Sequence, residues 1–372
     1  MDFSFIPALQ QLGAGFAMRL INQARPAANY LLASILPETP MTSYEVKNGS
    51  MTVRSAMAGL VGMDSPYPPT GQVSLSTFME RSAKLANQAT FTEEALRTLQ
   101  ALLMHLQLSG AASNERMVEE VLNFTNAVLI QPNLDAAEWL RGQALATGAI
   151  AWTFGPVQLA VDYGIPSGNK LTSRAGNDAY SGSSSKFWTD VKAQGRLLRG
   201  ASGIIRIAHP DLIEDIVANE ANNVRVVSED AGQVTLQRMI SQNGTNTPSS
   251  DARDAVTIIK YGLEGEIIDP ADPTAVKATP FLPKTKLVAI GTGVNRGYVV
   301  GAGAREPQAY ELGYTHLAPT VEGNGAPGRW ARVYTPEQRP WQLTGEAVAN
   351  LLPVIDARAV SRIVIATSAL SS

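Results

Sequence analysis

Apolar residues recur at helical spacing in the middle of the chain and predict three consecutive helices. Two of them fall between residues 92 and 130, where leucines and valines follow an i, i+3, i+4 pattern. The third is predicted from Leu134 to Thr147, with Asn133 as its N-cap and Gly148 at its end. Asparagine accepts hydrogen bonds from the first turn of a helix, and glycine adopts the left-handed conformation that ends one.

The first 88 residues show no sustained helical or strand period. Prolines at positions 7, 26, 37 and 40 interrupt residues 1–48, so we predict a mobile arm with one or two short helices. Residues 52–88 are rich in Met, Ser and Gly around a turn at 64–71, which predicts a long hairpin or open loop. About eighteen extended residues reach about 60 Å, whereas a globule of this length has a radius of gyration of about 21 Å. If the loop is extended, it must leave its own subunit.

Strands and helices alternate in the second half of the chain. Strand patterning at 150–162 is followed by a Gly-, Ser- and Asn-rich connection at 164–185. Gly203–Ala208 is predicted as a buried strand, and His209-Pro-Asp211 as the start of the next helix. Residues 243–251 are predicted as a polar loop. Further strands are predicted at 256–259, 266–268, 286–290, 339–345 and 362–367. This alternation favours an α/β domain of roughly 140 residues.

Charged residues are scarce. They make up 17% of the 372 residues, against about 25% in an average soluble domain, while the apolar share of 45% is ordinary. Burying an unpaired charge costs far more than burying a hydroxyl or amide that finds a partner, so this surface suits burial against neighbours. A charge-poor monomer explains the composition equally well. The net charge of −3 and the lack of a long basic block argue against a protein whose main work is wrapping nucleic acid.

Several classes of chemistry are excluded. The chain has no cysteine, which rules out disulfides, thiolate nucleophiles and sulfur-bound metals. Its first residues lack the basic segment of a signal peptide, and no run reaches the roughly 18 apolar residues that span a membrane. The three histidines, His105, His209 and His316, are isolated from one another in sequence. We predict no metal site and no catalytic dyad from them, and we interpret His209-Pro-Asp211 as a helix cap.

One string has the spacing of a nucleotide-binding loop. Gly291-Thr-Gly293-Val-Asn-Arg-Gly297 follows a predicted strand, with Glu311 about 20 residues on, as in dinucleotide sites. The helix that such a site requires is missing, because Tyr298 to Gly303 is predicted as another strand and turn. We therefore predict a structural turn between two strands. A nucleotide-binding enzyme that uses Gly291–Gly297 is kept as an alternative from a different functional class.

Several stretches together resemble a known family. The most specific is Phe281-Leu-Pro283, followed by Lys286-Leu-Val288 and the glycine string. The others are Asn29–Pro37, Glu138–Ile150, Val161–Gly164, Trp188–Asp190 and Gln342–Leu370. Their order and spacing, from about residue 27 to 370, resemble the major capsid proteins of tailed bacteriophages, specifically the lambda-like major capsid protein E family with the Hong Kong 97-type fold.

The resemblance implies an α+β fold of Hong Kong 97 type. Its expected segments are an N-terminal arm at 1–51, an extended loop at 52–88, a peripheral domain at 89–187 with a long spine helix, an axial α/β domain at 188–330, and return strands of the peripheral domain at 331–372. It implies a major capsid protein that assembles into hexamers and pentamers of an icosahedral shell around double-stranded DNA. An encapsulin-like compartment of the same fold is the alternative.

The resemblance also implies partners and a location. The expected partners are further copies of the chain, a scaffolding protein, a portal and, optionally, a decoration protein. No membrane, no cofactor, no enzymatic activity and no sequence-specific DNA binding are expected. The expected location is the virion, after assembly in the host cytoplasm. Because arms and loops can add strands to a neighbour's sheet, the candidate interface residues are Tyr30, Leu31, Leu32, Met63, Asp64, Tyr67 and Pro68.

Overall fold

The computed structural model describes residues 30–55, 71–91, 94, 129–154, 157–230, 232–242, 245–249, 251, 254–269, 272–293, 312–334, 343–356 and 359–371. These residues mix helices and strands and divide into two compact units. The first unit draws on Met1–Glu45, Arg81–Leu140 and Thr315–Pro353, and the second on Val46–Glu80, Arg141–Tyr314 and Val354–Ser372. Among the described residues, no helix is long and apolar enough to cross a membrane.

The first unit contains a five-stranded sheet. It consists of β1 (Glu38–Pro40), β4 (Ala83–Phe91), β15 (Gly313–Ala318), β16 (Arg329–Tyr334) and β17 (Leu343–Ile355), and the unit also holds α1 (Leu31–Ile35) and the start of α2 (Gln131–Thr147). The sheet order is β1-β15-β17-β16, and β4 also pairs with β17. The long strand β17 lies antiparallel to both β4 and β16, while β1 is parallel to β15. A Cβ at Gly345 would lie 2.6 Å from a Leu129 methyl, so glycine is what lets this side chain pack directly on β17.

The second unit contains a seven-stranded sheet. It consists of β7 (Gly203–Ala208), β8 (Val224–Asp230), β9 (Gln233–Gln242), β10 (Thr245–Pro248), β11 (Ala255–Lys260), β14 (Lys286–Thr292) and β18 (Ile363–Thr367), and it is accompanied by α3 (Phe187–Leu197) and α4 (Pro210–Ala218). The sheet order is β10-β9-β11-β7-β14-β18, and β8 also pairs with β9. Helices α3 and α4 bury their apolar faces in one core with this sheet, because alternate residues of its strands, such as Val234 and Leu236, point to the same side.

Three two-stranded sheets also belong to the second unit. They pair β2 (Glu45–Ser55) with β3 (Gly71–Arg81), β5 (Ala149–Phe154) with β6 (Val157–Asp162), and β12 (Glu264–Asp269) with β13 (Asp272–Pro280). Of the two forms predicted for residues 52–88, the pairing of β2 with β3 favours the hairpin over the open loop, although β2 already begins at Glu45, within the predicted arm. The candidate interface residues Met63, Asp64, Tyr67 and Pro68 lie outside the described residues.

The predicted third helix is present, but its start was misplaced. Helix α2 begins at Gln131, so Asn133 lies within its first turn and the prediction that it caps the helix is wrong. Its side-chain amide donates instead to the Leu129 carbonyl at 3.0 Å and to Asn87 Oδ1 at 2.8 Å. The predicted helices at 92–130 fall almost wholly outside the described residues; Glu94 is helical.

Two other segments differ from the sequence-based prediction. The predicted polar loop at 243–251 contains strand β10, which pairs with β9; polar residues suit an exposed strand as well as a loop. Residues 83–88, predicted as the end of the loop, lie in β4 and pair along β17. Strand β18, grouped by the sequence with the return strands at 331–372, pairs with β14.

Candidate assembly elements

The candidate arm residues Tyr30, Leu31 and Leu32 lie at the start of the described chain. Leu32 is fully buried and Tyr30 is 7% exposed, whereas Leu31 is half-buried. The backbone N–H of Leu32 donates to Glu138 Oε1 at 2.8 Å, which satisfies one of the free donors at the start of α1. The structure therefore buries two of the three candidate interface side chains within their own subunit.

The Tyr30 hydroxyl is held between two polar side chains of α2. It donates to Asp135 and accepts from Gln131 Nε2 at 2.5 Å. Burial, together with the neighbouring Asp135 carboxylate, raises the pKa of the Tyr30 phenol. The phenol stays neutral and keeps its proton to donate, so this contact fixes the arm against α2 throughout the physiological pH range.

The next residues of the arm are held by β15. Thr315 Oγ1 donates to the Leu36 carbonyl and Thr315 N to the Pro37 carbonyl, both at 2.8 Å. Past β1, the N–H of Met41 donates to the Leu317 carbonyl at 2.9 Å. The arm makes these bonds through its backbone carbonyl and N–H groups. Because they do not depend on the arm's side chains, the sequence contains no motif that predicts the pairing.

A largely buried ion pair adds to this attachment. The two terminal nitrogens of Arg329 bond the two carboxylate oxygens of Glu38 at 2.7 and 2.5 Å. The side chains are only 7% and 17% exposed. Bidentate geometry of this kind is the strongest arrangement for an Arg–carboxylate pair. The arm is therefore anchored by one specific charged contact as well as by its backbone.

The residues just before β2 and just after β3 are hydrogen-bonded to each other. The N–H of Ser82 donates to the Tyr44 carbonyl at 3.1 Å, so the chain returns to the point from which it left. His316 Nε2 lies 2.8 Å from the Ser43 carbonyl, and β4 continues directly into the sheet of the first unit. Residues on both sides of the β2–β3 pair are thus attached to the sheet of the first unit, and we call this pair of strands the appendage.

A buried polar network surrounds the motif Trp188-Thr-Asp190. Arg174 binds Asp190 through two bonds of 3.0 and 2.7 Å, and the Tyr180 hydroxyl donates to the same carboxylate at 3.1 Å. The indole of Trp188 donates to the Asn222 carbonyl at 2.8 Å. Asp190 is 1% exposed, and a buried charge is tolerated because it is paired and hydrogen-bonded. The network fixes the connection at 164–185, and sequence reasoning missed it because its partners are scattered along the chain.

The glycine string has a structural role. Strand β14 lies antiparallel to both of its neighbours, β7 and β18, whereas a dinucleotide loop opens a parallel β-α-β unit. A Cβ at Gly291 would lie 3.0 Å from the Ala201 Cβ, and one at Gly293, where φ is +89°, would lie 2.0 Å from Ser202 Oγ. Both glycines thus serve the close approach of residues 201–202. The remaining residues of the string, 294–297, lie outside the described residues.

The histidine prediction at 209 is confirmed. His209 precedes α4, and its Nδ1 accepts from the backbone N–H of Asp211 at 3.2 Å, as a cap does. Burial lowers the pKa of His209, so the ring is neutral and able to accept. No group of three or more His, Asp or Glu side chains in the described part of the chain is placed to hold a metal ion.

A family model identifies the protein family to which the chain belongs. The model described as "Phage major capsid protein E" matches residues 18–360. The chain belongs to the phage major capsid protein E family. No curated protein gave a significant match.

The first of three similar solved structures supports the fold of this capsid protein. A prophage capsid protein from Escherichia coli CFT073 is 10% identical, with a TM-score of 0.55 over 96% of this chain and 99% of that one. The capsid protein of cyanophage A-1(L) is 11% identical, with a TM-score of 0.46 over 93% and 96%. An encapsulin from Synechococcus elongatus PCC 7942 is 10% identical, with a TM-score of 0.39 over 93% and 90%.

Family and fold confirm the main expectations from the sequence. The capsid protein has the mixed helix-and-strand fold of Hong Kong 97-type capsid proteins, as expected from the resemblance. It is a structural subunit of a capsid shell, located in the virion, and it assembles into multimers. The family is one of structural proteins rather than of enzymes.

Proposed function

We propose that this capsid protein forms the hexamers and pentamers of an icosahedral shell that encloses double-stranded DNA. The observation that carries the proposal is the β2–β3 appendage. Two paired strands of 11 residues each span about 36 Å at roughly 3.3 Å per residue. Strands of this length, which pair with no other strand among the described residues, suit addition to a neighbouring subunit through main-chain hydrogen bonds.

The proposed division of labour follows the segments expected from the sequence. The arm at 1–51 and the loop at 52–88 link subunits, the peripheral segments 89–187 and 331–372 form the body of the shell, and the axial domain at 188–330 meets its copies around the symmetry axes. A net charge of −3 supports confinement of DNA without sequence-specific binding. Scaffolding protein, a portal and, optionally, a decoration protein complete the assembly in the host cytoplasm.

Removing the appendage tests the proposal. Residues 46–80 are replaced by Asn-Gly, a pair that closes tight hairpins, next to Tyr44 and Ser82, whose backbones already bond each other. The purified protein is imaged by electron microscopy beside wild type, with scaffolding protein supplied to both. Wild type should form closed shells, whereas the shortened variant should stay unassembled although it still unfolds cooperatively on heating. The matched control places Asn-Gly at Pro270-Ala271, between β12 and β13, without shortening the chain, and should assemble.

Two results would contradict the proposal. Normal shells from the shortened variant would show that the appendage does not link subunits. A wild-type protein that stays monomeric at high concentration would contradict the proposal that the chain forms a shell. The contents of particles purified from producing cells distinguish a phage shell from the alternative, an encapsulin-like compartment. Protein cargo without nuclease-protected DNA would favour an encapsulin-like compartment over a phage head.

A further inference from the structure

Positive charge without a partner collects at the end of α3. Residues 192–206 contain four Lys or Arg and no Asp or Glu. Lys192 pairs with Asp254, but Arg196 and Arg199 are exposed and form no ion pair with any described residue. Leu197, between them, is 44% exposed. The end of α3 therefore presents an apolar side chain flanked by two guanidinium groups that no described residue pairs, and we call these three residues the basic side.

Negative charge without a partner collects on α4. Residues 211–220 contain four Asp or Glu and no Lys or Arg. Asp211 pairs with Lys284 and Asp215 accepts from Ser371, whereas Glu214 and Glu220 are exposed and form no ion pair with any described residue. Val217, between them, is 38% exposed. Glu214, Val217 and Glu220 form what we call the acidic side, the same arrangement with the opposite charge.

The two sides lie toward opposite edges of one sheet. The end of α3 packs toward β18, where Leu198 contacts Ala289 and Val364. Helix α4 packs against β8 instead. Strands β8 and β18 are separated by five strand spacings in the sheet order, or about 24 Å at roughly 4.8 Å each. No ion pair joins the basic side to the acidic side among the described residues of one subunit, so both remain available to a neighbouring copy.

We propose that the basic side of one subunit docks on the acidic side of the next copy of the chain. Two different, complementary surfaces on one molecule form a heterologous, head-to-tail contact, and such contacts close into rings when the rotation permits. This inference rests on the proposed function, and it deepens it by naming the surfaces that join neighbours within a hexamer or pentamer.

The chemistry of the two sides matches that of a protein interface. Interface cores are apolar and their rims polar, and here Leu197 and Val217 supply the centre while the charges surround them. Arg binds carboxylates in a bidentate manner that fixes register. Complementary rims also speed encounter and penalise wrong pairings, because two basic or two acidic sides repel. In a ring built this way, the basic side of every subunit contacts the acidic side of the next subunit, so all subunits point in the same direction around the ring.

Charge reversal tests the pairing. Arg196→Glu with Arg199→Glu makes both sides acidic, and Glu214→Lys with Glu220→Lys makes both sides basic. Each double variant should give at least tenfold fewer shells than wild type by electron microscopy and analytical ultracentrifugation. The quadruple variant, in which both sides are reversed, restores complementarity and should recover at least half of the wild-type yield. The matched control reverses the exposed charges Glu266 and Lys277 on the β12–β13 pair and should assemble normally.

Mixing the two double variants gives a second readout. Acidic and basic subunits should alternate around a ring, which six positions permit and five do not. The mixture should therefore form hexameric rings or sheets while closed shells, which need pentamers, stay at least tenfold depleted. Each variant is first checked for wild-type thermal unfolding, so that loss of assembly is not loss of folding.

Three results would overturn the inference. They are normal assembly of both double variants, failure of the quadruple variant to recover, and a mixture that forms pentamers as readily as hexamers. In each case shells from wild type and from the control would leave the proposed function standing. Absence of shells from wild type itself would count against the proposed function instead.

Discussion

At the scale of single residues, the ion pair between Glu38 and Arg329 is less exposed to solvent than the other described ion pairs of the first unit. Its side chains are 17% and 7% exposed, whereas those of Glu322 and Lys84 are 28% and 55% exposed. Removing one partner of a buried pair leaves a charge without compensation and costs about 3–5 kcal/mol, while exposed pairs contribute about 0–1 kcal/mol. Geometry alone therefore ranks these two pairs.

We expect Glu38→Gln to lower the free energy of unfolding by about 3 kcal/mol, because the Arg329 guanidinium stays buried without its carboxylate. The matched change Glu322→Gln should cost under about 1 kcal/mol. Urea denaturation of unassembled subunits, followed by circular dichroism, measures both. Equal losses for the two variants would show that burial does not set the strength of the arm contact.

At the scale of elements, the end of α2 depends on one glycine. Gly148 has φ of +71°, its N–H bonds the Ala144 carbonyl at 3.1 Å, and its carbonyl accepts from Tyr163. A Cβ there would lie 2.7 Å from an Ile165 side-chain carbon. Gly195, in α3, has open space where a Cβ would stand. One glycine is required by its conformation and packing, and the other is not.

The two glycines should respond to alanine with opposite signs. Gly148→Ala should lower the free energy of unfolding by about 1–2 kcal/mol, because left-handed backbone disfavours a Cβ. Gly195→Ala should raise it by about 0.5–1 kcal/mol, since alanine is the better residue inside a helix. Thermal unfolding of both variants against wild type is the measurement. A stabilised Gly148→Ala would refute the account of the helix end.

The sequence was sufficient for elements that depend on local patterning. Helix α4 follows from His209-Pro-Asp211, and β7, β11, β14 and β18 follow from short apolar runs, because capping and side-chain alternation act over a few residues. Pairing partners were not predictable: β1 meets β15 through backbone groups more than 270 residues away. The start of α2 was missed because Asn133 bonds Asn87, a tertiary contact that overrides its capping preference. Burial of Tyr30 and Leu32 was missed for the same reason.

At the scale of the whole molecule, the chain keeps a large share of its backbone pairing outside the two main sheets. Strands β2 and β3 pair only with each other among the described residues, and isolated two-stranded pairs are marginally stable in water. An arrangement of this kind gains protection when a neighbouring copy covers it. The composition points the same way, since a charge-poor surface is inexpensive to desolvate.

Hydrogen exchange should report this difference between subunit and shell. In unassembled protein, the amides of 45–55 and 71–81 should exchange at least tenfold faster than those of β14, because the pair opens locally. In shells they should become protected, while β14 changes little. Mass spectrometry of both forms gives the comparison. Unchanged exchange in 45–55 and 71–81 on assembly would contradict burial of this segment by neighbours.

The contact between Glu38 and Arg329 also sets an order in time. The two residues are 291 positions apart, and at about 5–20 residues per second a ribosome needs roughly 15–60 s to pass from one to the other. Until then the emerging arm has neither its charged partner nor the strand beside which it lies. A nascent chain can therefore form the contact between Glu38 and Arg329 only when synthesis is nearly finished. Incomplete chains on a polysome lie close together, but their arms are not yet attached.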